Sequence, residues 1–294
     1  MENDRFGFVI LHYNTINETL DCIESIKKII KTDHLCIVVV DNCSPNGTGN
    51  ELKVLFENDD LVDVILLPSN LGFANGNNVG IEFALNEQNC SFVCCINNDT
   101  LMIDEHFVDK IIKEYYKNGA AVIGPKIVSK HNKTVMFHHK LGDKEIYIDA
   151  LEKFKIKLNS LQDDSNIMNT FSKTDFIHKI YYFFKPILFN KRKFNYILQG
   201  SCLVFTPVFF TKLKGFCNET FLYREEDILL IDLINNGLYN EYFPKAKIKH
   251  LEDVATDSIF CISLEKERFK LQHQINSLEI MIKKMETIKD EEDE

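Results

Sequence analysis

The chain has 294 residues, of which 45% are hydrophobic and 27% are charged. This composition supplies enough apolar material for a packed core, and it excludes a disordered chain, a collagen and a small disulfide scaffold. The 34 Lys+Arg residues stand against 44 Asp+Glu, a formal net charge of −10, so binding to nucleic acid through phosphate neutralisation is not expected. The length predicts one large domain or two small ones.

The nine cysteines are predicted to be small buried hydrophobic residues of a reduced protein. Most stand in apolar runs, and no pair of CxxC motifs indicates a zinc site. The N-terminal sequence lacks the basic and apolar segments of a signal peptide, and no apolar run is long enough to span a membrane. These features predict a cytoplasmic protein.

The first 125 residues alternate buried strands with amphipathic helices. Four apolar runs predict strands, at 6–11, 35–40, 62–67 and 91–96. Apolar residues at helical spacing predict three helices, at 15–31, 74–87 and 104–117. Thr15 and Glu18 match a capping box at the start of the first helix. This order predicts right-handed βαβ units and a mostly parallel, Rossmann-like sheet, whose ligands bind at the carboxyl ends of the strands.

The alternation of predicted strands and helices stops at the start of the second half. Residues 131–195 are polar at first and then aromatic and basic, and we predict that they form an insertion. The other predicted elements are a strand at 200–206, a helix at 225–237 that ends at Gly237, an extended segment at 239–250 and a helical tail from 258.

Polar residues follow the second predicted strand in the run VVVDNCSPNGT, residues 38–48. Asp41 and Asn42 leave the strand, and Ser44 opens a turn. A carboxylate here can accept a hydrogen bond from a nucleotide base or a ribose hydroxyl. The alternative is that Asp41 only caps the next backbone segment.

The run NLGFANGNNVG, residues 70–80, follows the third predicted strand. Its glycines, including Gly72, allow close backbone approach, and Asn75 and Asn78 offer uncharged donors and acceptors. Because donors at the start of a helix suit a diphosphate, we predict a ligand loop rather than a flexible connection.

The fourth predicted strand emerges at Asn97, Asn98 and Asp99. One carboxylate with neighbouring oxygens can hold Mg²⁺ or Mn²⁺ when a substrate diphosphate completes the coordination shell. The alternative is a cap for the helix that starts near Asp104.

An acidic cluster of Glu225, Glu226 and Asp227 stands at a predicted helix N-terminus, where the helix dipole favours negative charge. It can also supply a general base whose pKa is adjusted by its like-charged neighbours. His250 closes the extended segment that follows, and a lone histidine of this kind is more often structural.

Taken together, these blocks resemble the family 2 glycosyltransferases with the GT-A fold, especially their rhamnosyltransferase-like branch. The resemblance covers most of residues 5–256 and leaves out 131–195 and the tail. The blocks that carry it are HYN, VVVDNCSPNGT, NLGFANGNNVGI, INNDT, GSCLVF, FLYREEDILL and the final KH. It implies a sugar-nucleotide donor, a divalent metal, Mg²⁺ or Mn²⁺, and inversion at the anomeric carbon.

The resemblance also implies roles for individual residues in binding the donor. It implies that Asp41 reads the nucleotide base with Tyr13 and Asn14 beside it. It implies that Asn75 and Asn78 contact the nucleoside and diphosphate. The predicted donor-binding set is completed by Asn42, Ser44, Gly72, Asn97 and Asn98.

For the reaction itself, Asp99 matches the metal ligand of the family's Asp-x-Asp motif, with Asn97 in place of the first Asp. His250 matches a distal histidine at the metal or diphosphate. Glu225, Glu226 and Asp227 match the acidic block that supplies the base. Counting from Tyr223 puts the base at Glu226, whereas matching the aspartate itself puts it at Asp227.

The resemblance therefore implies an inverting glycosyltransferase that moves a sugar from a UDP- or dTDP-linked donor to a saccharide or lipid-linked acceptor in cell-surface polysaccharide synthesis. The alternatives are a nucleotidyltransferase and a noncatalytic nucleotide-sugar-binding subunit. The first would need a Gly-rich basic loop after the first strand, where this chain reads HYNTINETL. Candidates for both the base and the metal ligand argue against the second.

Four parts are predicted: a nucleotide-sugar-binding half at 1–130, an insertion at 131–195, an acceptor-side half at 196–257 and a helical tail at 258–294. Residues 171–195 interleave aromatic and basic side chains, which suits the surface of an anionic membrane and would place the protein at its inner face. The alternative is an ordinary core with a solvated basic face. The tail carries an apolar stripe that either supports a homodimer or packs on its own domain. The stripe consists of Leu271, Ile275, Leu278, Ile282 and Met285.

Overall fold

The structure is a computed structural model that describes residues 4–30, 34–134, 140–161, 192–251 and 264–288. Its strands are β1 Phe6–His12, β2 Leu35–Asp41, β3 Val62–Leu66, β4 Phe92–Asn97, β5 Thr100–Met102, β6 Val122–Ser129, β7 Lys193–Phe194, β8 Cys202–Phe205 and β9 Asn240–His250. Its α-helices are α1 Ile16–Ile29, α2 Thr48–Leu55, α3 Gly72–Asn86, α4 Phe107–Asn118, α5 Lys144–Ser160, α6 Glu225–Asn235 and α7 Leu264–Met285.

The strands form one sheet in the order β3-β2-β1-β4-β8-β6-β9-β5, with β7 paired to β9. Strands β1 to β4 pair parallel with one another, as predicted. Strand β8 runs antiparallel to both β4 and β6, and β5 and β7 run antiparallel to β9. The mixed α/β fold with a mostly parallel central sheet is therefore confirmed.

Both faces of the sheet are covered, which explains the continuous apolar runs in the sequence. All seven residues of β2 are buried. Helices α1 and α4 pack on one face through Ile23, Ile26 and Phe107. Helix α3 packs on the other face, where a side chain on Gly80 would collide with Val9. The glycines of α3 thus bring the helix close to the sheet.

Several elements were not predicted from the sequence. Helix α2 has eight residues, and β5 has three, so neither shows a readable period. Strand β6 contains Pro125, and its pairing with β9 shifts register at Pro125/Lys126, as expected of proline inside a sheet. Helix α5 lies within the predicted insertion, where a single strong apolar stripe is lacking.

The predicted capping box at Thr15 is wrong. Thr15 is the N-cap of α1, but its side chain makes no capping hydrogen bond. Its hydroxyl instead accepts a hydrogen bond from the Asn98 side-chain amide at 2.7 Å. A partner 83 residues away has replaced the local one.

The cysteine prediction is confirmed for most of the described cysteines. Six of these eight side chains are buried, and all eight are free thiols. Cys36 and Cys90 lie with their sulfurs 3.4 Å apart, and Cys94 and Cys202 lie 3.5 Å apart.

Helix α7 packs on α5 and α6 of its own chain. A buried stripe on α7 consists of Leu271, Ile275, Leu278 and Met281. Leu278 and Met281 pack in one cluster with Tyr147, Ile228 and Ile231. Ion pairs Lys144–Glu286 and Lys157–Glu267 hold α5 and α7 antiparallel. This is the packing alternative that the sequence left open for the tail. A contact with a second copy stays a prediction.

The basic aromatic segment 171–195 lies outside the described residues except for 192–195. Arg192 pairs with Glu114 at 2.5 Å and with Glu241 at 3.4 Å. This basic residue of the segment therefore binds acidic side chains of its own chain. Within the described ranges, no helix is long and apolar enough to cross a membrane.

Candidate active site

The parallel strands β1, β2 and β4 end side by side at one edge of the sheet. The strand register places His12 opposite Asp41 and Leu11 opposite Asn97. The polar residues that follow these strands are thereby brought together, as the sequence pattern predicted.

Asp41 joins the loops that follow β1 and β2. Its carboxylate accepts hydrogen bonds from the Ser44 hydroxyl at 2.5 Å and from the Ser44 backbone N–H at 3.2 Å. The Ser44 hydroxyl in turn accepts the backbone N–H of Asn14 at 2.9 Å. Tyr13 is 44% exposed beside this junction, a suitable position for a planar ligand. Four members of the predicted donor-binding set therefore meet here, and Asp41 also caps the turn.

His12 supports this junction from below and was given no role by the sequence. The side chain is fully buried, and its two ring nitrogens lie 2.7 Å from the Thr19 hydroxyl and 2.8 Å from the Thr48 hydroxyl. Burial lowers the pKa of His12, against a smaller opposing effect of Asp41. A neutral imidazole therefore links α1 and α2 to the end of β1.

Asn42 fixes the loop that leads into α3. Its amide accepts the Leu71 backbone N–H at 2.8 Å and donates to the Gly72 carbonyl at 3.1 Å. Gly72 has a φ of +79°, and a side chain there would collide with the Phe221 carbonyl. The start of α3 is thus built to lie against the segment before the acidic block.

Asn75 and Asn78 bind protein backbone in this structure. Asn75 donates to the Asn218 carbonyl at 3.1 Å. Asn78 donates to the Phe216 carbonyl at 2.9 Å and accepts the Phe216 N–H at 2.8 Å. Asn78 also lines a cavity of about 690 Å³ between α3, the 213–219 loop, α6 and α7. These contacts account for both residues without a ligand, and their donor-binding role stays a prediction.

Asp99 and His250 are brought together by the antiparallel pairing of β5 with β9. His250 Nε2 lies 2.9 Å from Asp99 Oδ1, and the two side chains are 13% and 14% exposed. The Asp99 carbonyl accepts the Leu251 N–H at 2.9 Å, which closes the turn around the pair. Neighbouring Asn98 is engaged elsewhere, on Thr15 and Thr19.

This pair fits a divalent cation that takes further ligands from a substrate. A carboxylate oxygen and an imidazole nitrogen are both ligands for Mn²⁺, and the carboxylate suits Mg²⁺. Among the described residues, no group of three or more His, Cys, Asp or Glu side chains gathers around one point. The metal role of Asp99 and His250 stays a prediction.

The acidic cluster stands at the first turn of α6, directly after two residues in the left-handed region. Tyr223 has a φ of 74° and Arg224 a φ of 65°, a conformation that is costly for non-glycine residues and persists only where the surroundings hold it. Two backbone carbonyls of this segment are held by other elements. Phe73 N–H donates to Phe221 at 2.9 Å, and the Ser277 hydroxyl donates to Leu222 at 2.9 Å.

The three carboxylates of the cluster have different surroundings. Glu226 is partly exposed and accepts the Gly200 N–H at 3.0 Å. Asp227 is buried and pairs with Arg224 at 3.2 Å. Glu225 is buried, and its Oε1 has no hydrogen-bond partner among the described residues.

The pKa values of the two glutamates follow from these surroundings. Burial, and then the nearby Glu226, raise the pKa of Glu225 to about 8. Glu226 is only partly exposed, and the burial of the rest of its side chain also raises its pKa. The Ser201 carbonyl beside Gly200 accepts the Asn97 N–H at 3.0 Å. This bond connects the Glu226 contact to the end of β4, from which the chain continues to Asp99.

The similarity of this chain to known proteins concerns its family and its fold. Residues 8–195 match the sequence model of the family described as Glycosyl transferase family 2. The matched range includes 131–195, which the blocks quoted above leave out, and it ends before the acidic cluster and His250. No curated protein sequence matches the chain.

Solved structures resemble the chain in fold. The structure of S. aureus TarS 1-349 in complex with UDP has a TM-score of 0.53 at 14% identity, over 92% of this chain and 64% of that one. Mannosyltransferase PcManGT from Pyrobaculum calidifontis, in complex with GDP-Man and Mn²⁺, has a TM-score of 0.53 at 13% identity, over 86% and 58%. The chain thus spans less than two thirds of these proteins. At such identities the likeness shows the GT-A fold.

Proposed function

The chain belongs to glycosyl transferase family 2, and we propose that it is an inverting glycosyltransferase that moves a sugar from a nucleotide-diphosphate donor to an acceptor hydroxyl. The observation that carries the proposal is the Asp99–His250 contact of 2.9 Å at the sheet edge that also holds Asp41. TarS with UDP-GlcNAc and PcManGT with GDP-Man are proteins of the same fold that bind such donors. For this chain we propose a UDP- or dTDP-linked donor.

Asp99 and His250 are the residues that would hold Mg²⁺ or Mn²⁺ in this proposal. When bound, such a cation neutralises charge on the leaving diphosphate. The chain's own contribution is to present one anionic oxygen and one imidazole nitrogen in a fixed geometry, because both residues are anchored by the β5–β9 pairing. Asp41, Ser44 and Asn14 would hold the nucleoside end of the donor nearby.

Glu226 is the favoured base. A base must lie within hydrogen-bond reach of the acceptor hydroxyl, and Glu226 is partly exposed whereas Asp227 is buried against Arg224. The Gly200 N–H orients the Glu226 carboxylate. The acceptor oxygen forms a bond to the anomeric carbon as the bond to the diphosphate oxygen breaks. The acceptor proton passes to Glu226, and the nucleoside diphosphate leaves.

A donor panel tests this function. We expect the protein to release nucleoside diphosphate from at least one UDP- or dTDP-sugar in Mn²⁺ or Mg²⁺, and to lose that activity in chelator. A noncatalytic nucleotide-sugar-binding subunit would bind a donor without release, and a nucleotidyltransferase would release pyrophosphate from a nucleoside triphosphate. No release from any donor would overturn the proposal.

The cellular setting follows from the same proposal. A saccharide or lipid-linked acceptor would place the enzyme in cell-surface polysaccharide synthesis, in the cytoplasm at the inner face of the membrane. In this proposal residues 171–195 supply the membrane contact, and α7 supports a homodimer through the surface that α5 and α6 leave open. Vesicle sedimentation and light scattering test these two points.

A further inference from the structure

Helix α7 runs alongside α6 in the same direction and extends past its start. Ser277 meets Leu222 just before α6, and Lys284 pairs with Asp232 at 2.7 Å near its end. Residues of α7 that precede Ser277 therefore continue beyond the acidic cluster. At 1.5 Å per residue, the eight residues back to Phe269 reach about 12 Å further.

The extending part of α7 is braced by α5. Lys157 pairs with Glu267 at 2.6 Å, and Arg268 donates to the Leu161 carbonyl at the end of α5. The first turns of α7 are thus held in place at the end of the molecule where α6 begins.

Three aromatic side chains meet on this part of α7, and we name them the aromatic overhang: Phe221, Phe269 and His273. The Phe269 ring centroid lies 4.3 Å from that of His273, and the Phe221 ring stacks on His273 at 4.7 Å. Phe269 is 48% exposed. Burial lowers the pKa of His273, which favours the neutral form of its ring. The cluster is therefore an aromatic surface that is open on the side of Phe269.

The aromatic overhang touches both halves of the proposed site. Phe221 stands four residues before Glu225, and its carbonyl accepts the Phe73 N–H at the start of α3. Glu267, from the same turn of α7, acts with Glu225 to raise the pKa of Tyr223, after the larger effect of burial. The start of α7 therefore faces the segment that carries the acidic cluster.

Resting on the proposed function, we propose that the aromatic overhang is the acceptor subsite and binds a pyranose ring. The acceptor hydroxyl must reach the base at the start of α6, so the rest of the acceptor has to lie against the surface beside it. A pyranose has an apolar C–H face and polar edges. Rigid aromatic rings offer large contact area to such a face at little conformational cost. Phe269 is the exposed ring of the cluster and is the principal contact.

The test uses the absence of tryptophan from the chain. Phe269→Trp places the sole indole in the aromatic overhang, and Tyr116→Trp places it on α4, where the native side chain is 54% exposed. Each variant is titrated with methyl glycosides of glucose, galactose, rhamnose and N-acetylglucosamine. We expect a saturable change in emission with at least one glycoside for Phe269→Trp and none for Tyr116→Trp. The same response in both variants, or none at position 269, would overturn the subsite.

Kinetics with the responding glycoside as acceptor give a second readout. We expect Phe269→Ala to raise the KM for the acceptor roughly tenfold, which is the loss of affinity expected when one aromatic ring contact is removed, and to leave kcat little changed. We expect Tyr116→Ala to change neither constant. An unaltered acceptor KM for Phe269→Ala contradicts the subsite. Donor hydrolysis by the wild-type protein separates the two proposals: its absence refutes the function, whereas its presence with no saccharide response at position 269 refutes the subsite alone.

Discussion

His250 Nε2 lies 2.9 Å from Asp99 Oδ1, although the two residues are 151 positions apart in the chain. Strand β9 pairs with the three-residue β5 that follows Asp99, and the register sets Thr100 opposite His250. The contact is therefore fixed by backbone pairing rather than by two flexible side chains. The contact joins the N-terminal parallel strands to β9, the last strand in chain order.

Changing Asp99 should weaken donor binding only when a metal is present. We expect Asp99→Ala to lower affinity for the nucleoside diphosphate in Mn²⁺ by roughly tenfold or more, because metal affinity falls that far even when a supporting residue is lost. Calorimetry with and without Mn²⁺ measures it. Asp109→Asn, an exposed carboxylate on α4, is the matched control. Equal binding by Asp99→Ala and wild type would remove the metal role.

Asp41 should contribute to nucleotide binding beyond its role in the turn. We expect Asp41→Ala to weaken the binding of uridine or thymidine diphosphate, because the nucleotide base would lose the carboxylate that accepts its hydrogen bond. Ser44→Ala removes the 2.5 Å bond between these side chains and leaves the carboxylate in place. If both variants lose the same affinity in calorimetry, Asp41 acts only through the turn. Comparable wild-type affinity for guanosine diphosphate would count against a pyrimidine site.

Glu225 should make the folded protein less stable as the pH rises. Its pKa is raised to about 8 by burial and by Glu226, from an ordinary value of 4.5. The folded state thus binds the proton more tightly than the unfolded state, and the free energy of unfolding falls between these two values, by roughly 1.4 kcal/mol per pKa unit at most. We expect Glu225→Gln to gain stability over wild type at pH 8 but not at pH 4.5. Urea unfolding at both pH values measures the free energy of unfolding. An equal gain in stability at both pH values would contradict a raised pKa of buried Glu225.

His12 should make the folded protein less stable as the pH falls. Burial lowers its pKa, so below about 6.5 the unfolded state takes up a proton that the folded state resists. We expect His12→Asn to cost about 1–3 kcal/mol at pH 7, from threonine hydroxyls left unpaired, and to flatten the dependence between pH 7 and pH 5. His106→Asn, whose native side chain is exposed, is the control. An undiminished pH dependence in His12→Asn would show that this histidine is not the titrating group.

The sequence predicts the N-terminal half of the sheet well because its strands are continuous buried runs. It places Asp41 and Asn97 at one edge because parallel strands end together. It names Asp99 and His250 separately, but their contact depends on β5, which at three residues has no readable period. The same limit hid α2, whose first residue, Thr48, binds His12.

Tertiary partners override local patterns at other positions. Thr15 has the spacing of a capping box, yet its hydroxyl accepts a hydrogen bond from the Asn98 side-chain amide. Asn78 stands in a run typical of a ligand loop, yet the Phe216 backbone satisfies its amide. Such exchanges occur because a polar side chain near two candidate partners takes the one that the packing of the sheet brings closest. The spacing of residues along the chain does not show which partner the side chain will bind.

The rate of sugar transfer by Glu226→Gln is the decisive test of base-catalysed glycosyl transfer by this protein. Wild type, Glu226→Gln and Asp227→Asn are compared with the donor that the wild type hydrolyses, and donor affinity is measured in parallel. We expect Glu226→Gln to lose about 10²–10⁴ in rate, as expected for a lost general base, while donor affinity stays near wild type. Near-wild-type turnover by Glu226→Gln would contradict base catalysis by this residue, and if Asp227→Asn also turned over normally, the acidic cluster would not supply the base.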